Sequence, residues 1–534
     1  MKSITEKSVW QVTFLLLAVG YLLNLGVQPL YLEEPRRAFI TIELLANDNW
    51  IVPTLWGLPY YNKPPFFNWI LIVSTQIFGE MNEWTLRLPT VLFTWALAGL
   101  LYGILRRPFG KKTAIYGSLF WLCSSGILFY FSMLAEIDLF FSLVVFSGIY
   151  AIYFFHQRGQ LWYLFGSIYA LTAVAFLSKG IPSVVFTGLS LLAFFIWKRQ
   201  FWKLFHPAHF AGFGLFLLLV GGYYYAYAKY ADPWPFLENL WSESSDRAVW
   251  SNAAWSFISH LLLFPLDLLK EWIPALFVLP FLFRKDIGKQ IRQHDLLFFS
   301  LLMLLTNLLP YWLSPGTRMR YIYMLLPFGI ILLTALWQQN RETAPAWQKK
   351  TSNILCGIPV FALPLGVLAL PFIPDLAFLN YLIPLTVMSF LLLGGVAYTF
   401  VKKPGLRVAL LLLSLALARI IFDLTILPQR ADSSGAQGNK VLATEVFEIV
   451  GDAPLAIIND EKIFSYTATY YLNQLREQPL IATYYPSYAT GCFYMSCADK
   501  LPENAIIHKT WDYEGSVIAL AEVTRIKDKV EKIK

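Results

Sequence analysis

The sequence predicts an all-α polytopic membrane domain of about thirteen spans over residues 1–427, followed by a small α/β soluble domain over residues 428–534. Three observations lead there. Charged residues are 14% of the chain and hydrophobic residues 57%, against roughly 25% charged in soluble proteins. Apolar runs at 9–25, 86–105, 210–227, 296–313 and 408–427 approach the ~20 residues that cross a bilayer as a helix. Beyond residue 427 the composition turns to a soluble mixture, with strand-like stretches at 454–459 and 480–485 and a helix-like one at 462–474.

The net charge of +8 does not point to nucleic acid, because the basic residues stand in short clusters between apolar runs. These are Lys2 and Lys7; Arg106, Arg107, Lys111 and Lys112; Lys198, Arg199 and Lys203; Arg284, Lys285, Lys289 and Arg292; Arg341, Lys349 and Lys350; and Lys402, Lys403 and Arg407. Placed on alternate loops, they give a cytoplasmic N-terminus and an outer C-terminal domain. The first apolar run lacks a small-residue cleavage site and reads as a retained span rather than a signal peptide. Two outer loops are long, 31–83 and 230–256. Cys123 and Cys356 fall in spans as inert thiols. Cys492 and Cys497 are a candidate disulfide of the outer tail, where an oxidising compartment lets thiols pair.

The first outer loop carries the most chemistry. It runs Glu33-Glu34-Pro35-Arg36-Arg37 into an amphipathic stretch with Phe39, Ile42 and Leu45 at helical spacing. Pro35 suits a first helical turn and acids beside it suit the positive helix end, so one of the glutamates has a purely structural use as a cap. Asn49-Trp50-Ile51-Val52-Pro53 follows, then Gly57-Leu58-Pro59-Tyr60-Tyr61-Asn62-Lys63-Pro64-Pro65 and a short apolar run to Gly79, too short for a full span and read as re-entrant or interfacial.

With Leu86-Arg87-Leu88-Pro89, this order resembles the aminoarabinose transferases that modify lipid A and, more distantly, the protein O-mannosyltransferases. Both are GT-C glycosyltransferases, multi-helix membrane enzymes that take a sugar from a polyprenyl or dolichyl phosphate. The resemblance continues through Leu134-Ala135-Glu136-Ile137-Asp138, Leu177-Ser178-Lys179-Gly180, Trp241-Ser242-Glu243 with Arg247, and Ser314-Pro315-Gly316-Thr317-Arg318-Met319-Arg320-Tyr321. It covers about residues 8–330. Two departures stand out: Glu33-Glu34 replaces the family's usual Asp-Glu, and Asn62 stands where Glu is common before Lys-Pro. No His pairs with an acid at metal-ligand spacing in the outer loops, and no tightly bound catalytic metal or other cofactor is expected.

The chemistry implied is simple. A sugar phosphodiester is already activated, so a catalyst must deprotonate the acceptor and stabilise charge on the departing phosphate. Glu33 is the candidate base, Glu34 the nearer alternative and Asp138 the second acid; Glu136 reads as a helix-end acid favoured by the dipole. Arg36, Lys63, Lys179, Arg247, Arg318 and Arg320 are candidate phosphate ligands, since Arg offers a planar fork and Lys a point charge. Tyr60, Tyr61, Tyr321 and Glu243 are candidate substrate-lining residues, although interfacial tyrosines need no catalytic explanation. The implied partners are a polyprenyl-phosphate sugar donor, a lipid or glycan acceptor and the bilayer, in a bacterial inner membrane. Two alternatives stand beside this: protein or glycan O-glycosylation on the same fold, and a lipid-linked sugar transporter. A transporter calls for charges at mid-span and an internal repeat of spans; no clear repeat is found.

Overall fold

The computed structural model describes residues 4–248, 254–458, 464–477, 480–483, 492–501, 503–513 and 516–523. By internal contacts the chain forms two compact units. One comprises Met1–Val27, Asn62–Phe67 and Arg87–Gln429; the other comprises Gln28–Tyr61, Asn68–Leu86 and Arg430–Lys534.

The first unit is helical. Among the described residues nine helices are long and apolar enough to cross a membrane, and Phe66–Phe78 and Pro182–Trp197 are shorter apolar helices. The forty-residue helix Glu83–Leu122 is two arms folded back at Gly110, whose φ of 84° breaks the helix. Ser118 Oγ donates to the Ala98 carbonyl at 2.7 Å and Trp121 Nε1 to Thr94 at 2.9 Å, so the arms run antiparallel. Several polar side chains buried among the helices find partners there, which lowers the cost of burying them away from water: Thr172 and Thr187 share a hydrogen bond, and Asn307 donates to Ser190.

A second antiparallel pair places the charges. Ile137–His156 and Leu161–Lys179 are joined by a tight turn through Gly159, at φ 68°. Asp138 and Lys179 lie about equally far in sequence from that turn, so antiparallel packing brings them together. Some 20 residues at 1.5 Å rise put them roughly 30 Å from the turn, the thickness of a hydrocarbon core. Gly180, at φ 79°, then ends the second helix.

The other unit joins the loop segments 28–61 and 68–86 to the C-terminal tail. Helix Glu34–Ala46 packs on a hairpin of β1 (Thr54–Leu55) and β2 (Leu58–Pro59). Trp56 and Gly57 both have positive φ, 55° and 74°, as a two-residue turn of this hand requires. The tail contributes helices Gly435–Val450 and Tyr466–Leu475. Its sheet contains β3 (Leu455–Ile458), β4 (Ile481–Thr483), β5 (Phe493–Cys497), β6 (Ala505–Tyr513) and β7 (Ser516–Val523), in the order β4-β3-β5-β7-β6. β3 is parallel to β4 and β5, and β7 antiparallel to β5 and β6. The expected strands and helix fall on β3, β4 and Tyr466–Leu475; residues 459, 462–463 and 484–485 of those stretches lie outside the described residues. Trp56 stacks on Tyr466 with centroids 4.9 Å apart, Tyr470 donates to the Met81 carbonyl and Tyr471 to Glu83 at 2.7 Å. The loop and the tail therefore share one core.

One expectation is corrected. Cys492 and Cys497 are both free. Cys492 immediately precedes β5 and Cys497 ends it, so five steps of extended chain at ~3.3 Å each separate them by about 16 Å and turn their side chains to opposite faces, far beyond disulfide reach. Spacing suggested a bridge only while the strand between them was unseen.

Candidate functional site

In the membrane unit a compact charged cluster forms from four separate stretches of chain. Asp138 enters it because Ile137 begins a helix there, and Lys179 because its helix ends there. Lys179 Nζ lies 2.6 Å from Asp138 Oδ1, with both side chains 7% exposed. Arg320, at the start of the 3₁₀ turn Met319–Leu325, binds Glu136 Oε2 at 2.7 Å. Lys63 and Arg320 are both within electrostatic reach of the Asp138 carboxylate. Tyr321 closes one side, its ring centroid 4.9 Å from Lys179 Nζ and 5.7 Å from Arg320 Cζ. Phe141 lies 5.1 Å from the same Nζ. Beside Lys63, Asn62 accepts from Asn239 at 3.3 Å. Lys63, Lys179 and Arg320 thus all act on the Asp138 carboxylate.

Glu136 is the functional-looking residue that sequence reasoning set aside. It stands at the N-cap of its helix with extended backbone, φ −118° and ψ 155°, and makes no capping bond with its side chain. Its carboxylate serves Arg320 instead. Nothing local in the sequence distinguishes these uses, because Arg320 is 184 residues away.

The unit that contains residues 28–61 holds a second group. Glu33 occupies the N-cap of Glu34–Ala46 without capping it, and its carboxylate contacts the Arg36 guanidinium one turn on. Glu34 does the local work: fully buried, it accepts the Tyr31 N–H at 3.2 Å. Arg36 and Arg37 each lie 5.8 Å from the Tyr60 ring centroid. Tyr60 itself is buried among Ile40, Leu44 and Ile72, and its hydroxyl has no hydrogen-bond partner among the described residues. A further buried acid here, Glu43, was not singled out from sequence; it accepts the Gly57 N–H at 3.0 Å, and burial pushes its carboxyl above the usual range. The helix thereby clamps the hairpin turn that precedes Tyr60.

Of the remaining candidates, Tyr61 is half-buried and Arg318 exposed. Glu243 lies half-buried on the helix Trp234–Ala248. Arg247 is on the same helix, and its side chain lies outside the described residues. Among the described residues no group of three His, Cys, Asp or Glu side chains is placed to hold a metal ion.

The comparisons with known proteins bear out the resemblance read from the loop motifs. Residues 62–224 match the family model of dolichyl-phosphate-mannose-protein mannosyltransferases. The undecaprenyl phosphate-alpha-4-amino-4-deoxy-L-arabinose arabinosyl transferase of Pseudomonas savastanoi pv. phaseolicola is 35% identical over 101 residues, 17% of this chain and 19% of that one. One from Proteus mirabilis is 26% identical over 183 residues, 33% of each chain. The matched segments thus span between a fifth and a third of these relatives' lengths. Likeness of fold extends much further. The crystal structure of ArnT from Cupriavidus metallidurans bound to undecaprenyl phosphate superposes with a TM-score of 0.68 at 16% identity, covering 96% of this chain and 97% of that one. An oligosaccharyltransferase of Archaeoglobus fulgidus gives 0.50 at 12% identity, over 93% and 70%. The chain is a multi-pass membrane protein with the GT-C fold of these transferases.

Proposed function

We propose that this chain is an inverting glycosyltransferase that moves a sugar from a polyprenyl phosphate to an envelope acceptor such as lipid A. In this reading it lies in a bacterial inner membrane, with the N-terminus in the cytoplasm and the C-terminal domain in the periplasm. The observation that carries the proposal is the gathering of cations in the membrane-unit cluster. Lys63, Lys179 and Arg320 all act on one buried carboxylate, Asp138. A lipid phosphosugar is a phosphodiester with a single negative charge, which Lys and Arg side chains gathered in this way can meet. When the sugar leaves, the phosphate becomes a monoester carrying up to about two charges, and the same cations then bind the product end of the reaction more strongly than the start. Arg318 is the exposed cation beside this cluster, and Tyr321 the ring against which a sugar can stack.

Asp138 is a poor base in this arrangement, because its charge is committed to Lys179. Its role is to hold that ammonium in place. Glu33 is the better base: Glu34 takes the Tyr31 N–H, leaving the Glu33 carboxylate only partly buried and held by Arg36. The mannosyltransferase family match at 62–224 favours one second reading, transfer to protein or glycan on the same fold.

The test is a detergent-solubilised reaction of polyprenyl-phosphate sugar with lipid A, or with an acceptor peptide, read by mass without nucleotide or ion gradient. Lipid A gaining one sugar supports the first reading and a glycosylated peptide the second. Glu33→Gln should lower turnover by about 10²–10⁴-fold with the donor KM unchanged. Undiminished turnover in a folded Glu33→Gln protein removes Glu33 from the mechanism. Movement of intact lipid-linked sugar across vesicles, with no transfer to either acceptor, identifies a transporter.

A further inference from the structure

The membrane unit holds a second polar site, at the end of the bundle opposite the Asp138 cluster. A groove of about 770 Å³ runs between the first arm of Glu83–Leu122 and the end of Ile137–His156, with Leu296 at its side. Its polar lining is Arg106, Arg107, Arg158, Tyr102, Tyr150 and Tyr153, with Gln157, and it contains no carboxylate. We propose that this groove binds the phosphate of an anionic glycerophospholipid, with an acyl chain laid along the helix face of Gly99 and Gly103.

The charges support this. At the same end of the bundle other cations have acids of their own: Lys112 pairs with Glu6 at 2.5 Å and Lys198 with Asp295 at 2.9 Å. Asp295, next in sequence to the lining residue Leu296, also accepts from Gln157 at 3.0 Å. Arg106, Arg107 and Arg158 have no carboxylate partner among the described residues. Arg158 is instead fixed over the Phe154 ring, 3.5 Å from its centroid, and donates to the Phe154 carbonyl at 3.0 Å. Arg106 lies 5.7 Å from the Tyr102 centroid. Three guanidinium forks and three phenols on one concavity are donors suited to a phosphate, which takes two-point contacts from Arg.

The shape selects a lipid over a free anion. The volume far exceeds a phosphate group, and Leu100, Ile104, Phe154 and Leu296 complete the lining. Gly99 and Gly103, four apart and so on one helix face, are exposed, and a side chain at either would meet no atom within 4 Å. The open glycine face leaves a channel for hydrocarbon on a helix that spans the bilayer. Some 30 Å of helix separates the site from Asp138, so it is independent of the donor cluster.

The experiment is native mass spectrometry of the purified full chain, titrated with phosphatidylglycerol, with phosphatidylcholine and with inorganic phosphate. One phosphatidylglycerol should persist on the protein after others dissociate, phosphatidylcholine should not substitute, and inorganic phosphate should not displace it. Arg106→Gln/Arg107→Gln/Arg158→Gln should weaken retention by about tenfold or more. Lys349→Gln/Lys350→Gln/Arg407→Gln, in a different basic groove, should leave it unchanged. Gly103→Leu fills the channel without altering charge and improves helix propensity, so it should fold and still lose the lipid. Equal retention by the arginine variant or by Gly103→Leu overturns the proposal. So does an equal loss in the lysine variant, which marks unspecific attraction, or displacement by inorganic phosphate, which marks a soluble-anion site.

Discussion

Breaking the Asp138–Lys179 pair tests whether its purpose is stability or binding. The pair is 2.6 Å long and almost fully buried, so removing one partner strands a charge at a cost of about 3–5 kcal/mol. The two single variants should not be equal. Lys179→Met leaves Asp138 near Arg320 and Lys63, which partly compensate it, and should fall at the low end of that range. Asp138→Asn leaves Lys179 among like charges and should fall at the high end. The double variant removes both charges at similar volume and should recover to within about 1 kcal/mol of the parent. Chemical-denaturation midpoints in one detergent read the stabilities, and a binding titration with polyprenyl phosphate reads the site. If Lys179 touches phosphate, the stable double variant should bind about tenfold more weakly, the loss of one charge-assisted contact. Full affinity in the double variant, or a larger stability loss for Lys179→Met than for Asp138→Asn, refutes the reasoning.

Two further outcomes follow from charges buried elsewhere. Arg419 and Asp423 are both fully buried on the helix Arg407–Ser433, 2.8 Å apart, and Arg419 also donates to the Leu128 carbonyl and to Ser132. Arg419→Met should destabilise by about 3–5 kcal/mol, while Arg419→Met/Asp423→Leu should regain most of it yet transfer sugar more slowly, because the segment leading to Glu136 has lost its anchor; denaturation midpoints beside turnover check both. Glu43 gives a pH signature. Its folded-state carboxyl is raised above 4.5 by burial, so its contribution is fully present below the unfolded value and is lost as pH rises through the folded one. Glu43→Gln should flatten that decline and hold the 54–59 hairpin at neutral pH, as read by hydrogen exchange at Gly57; an unchanged pH slope counts against it.

The membrane class, the small sheet-bearing tail and the motif-bearing stretches were legible in the sequence because apolar runs and composition are local properties. Pairings were not. The loop 31–83 and the tail read as separate pieces, whereas Trp56 stacks on Tyr466 and Glu83 accepts from Tyr471, contacts between residues about four hundred positions apart. The forty-residue helix hid a reversal whose signal was Pro108 and Gly110 among basic residues. Cys492 and Cys497 looked like partners until the strand between them fixed their separation.

The acids show most clearly what spacing leaves open. From sequence, Glu33, Glu34, Glu136 and Asp138 all sit at helix starts, where the dipole alone accounts for a carboxylate. The structure separates them by what each charge is spent on. Glu34 serves a backbone N–H, Glu136 serves Arg320 and Asp138 serves Lys179, each largely withdrawn from water. Glu33 alone of the four keeps a carboxylate about one-third exposed, held by a single-turn contact to Arg36. A base must accept a proton from an incoming acceptor and release it again, and a carboxylate locked to a buried cation does neither cheaply. In the proposed mechanism Glu136 and Asp138 therefore position Arg320 and Lys179, Glu34 holds the backbone, and Glu33 is the carboxylate available for proton transfer.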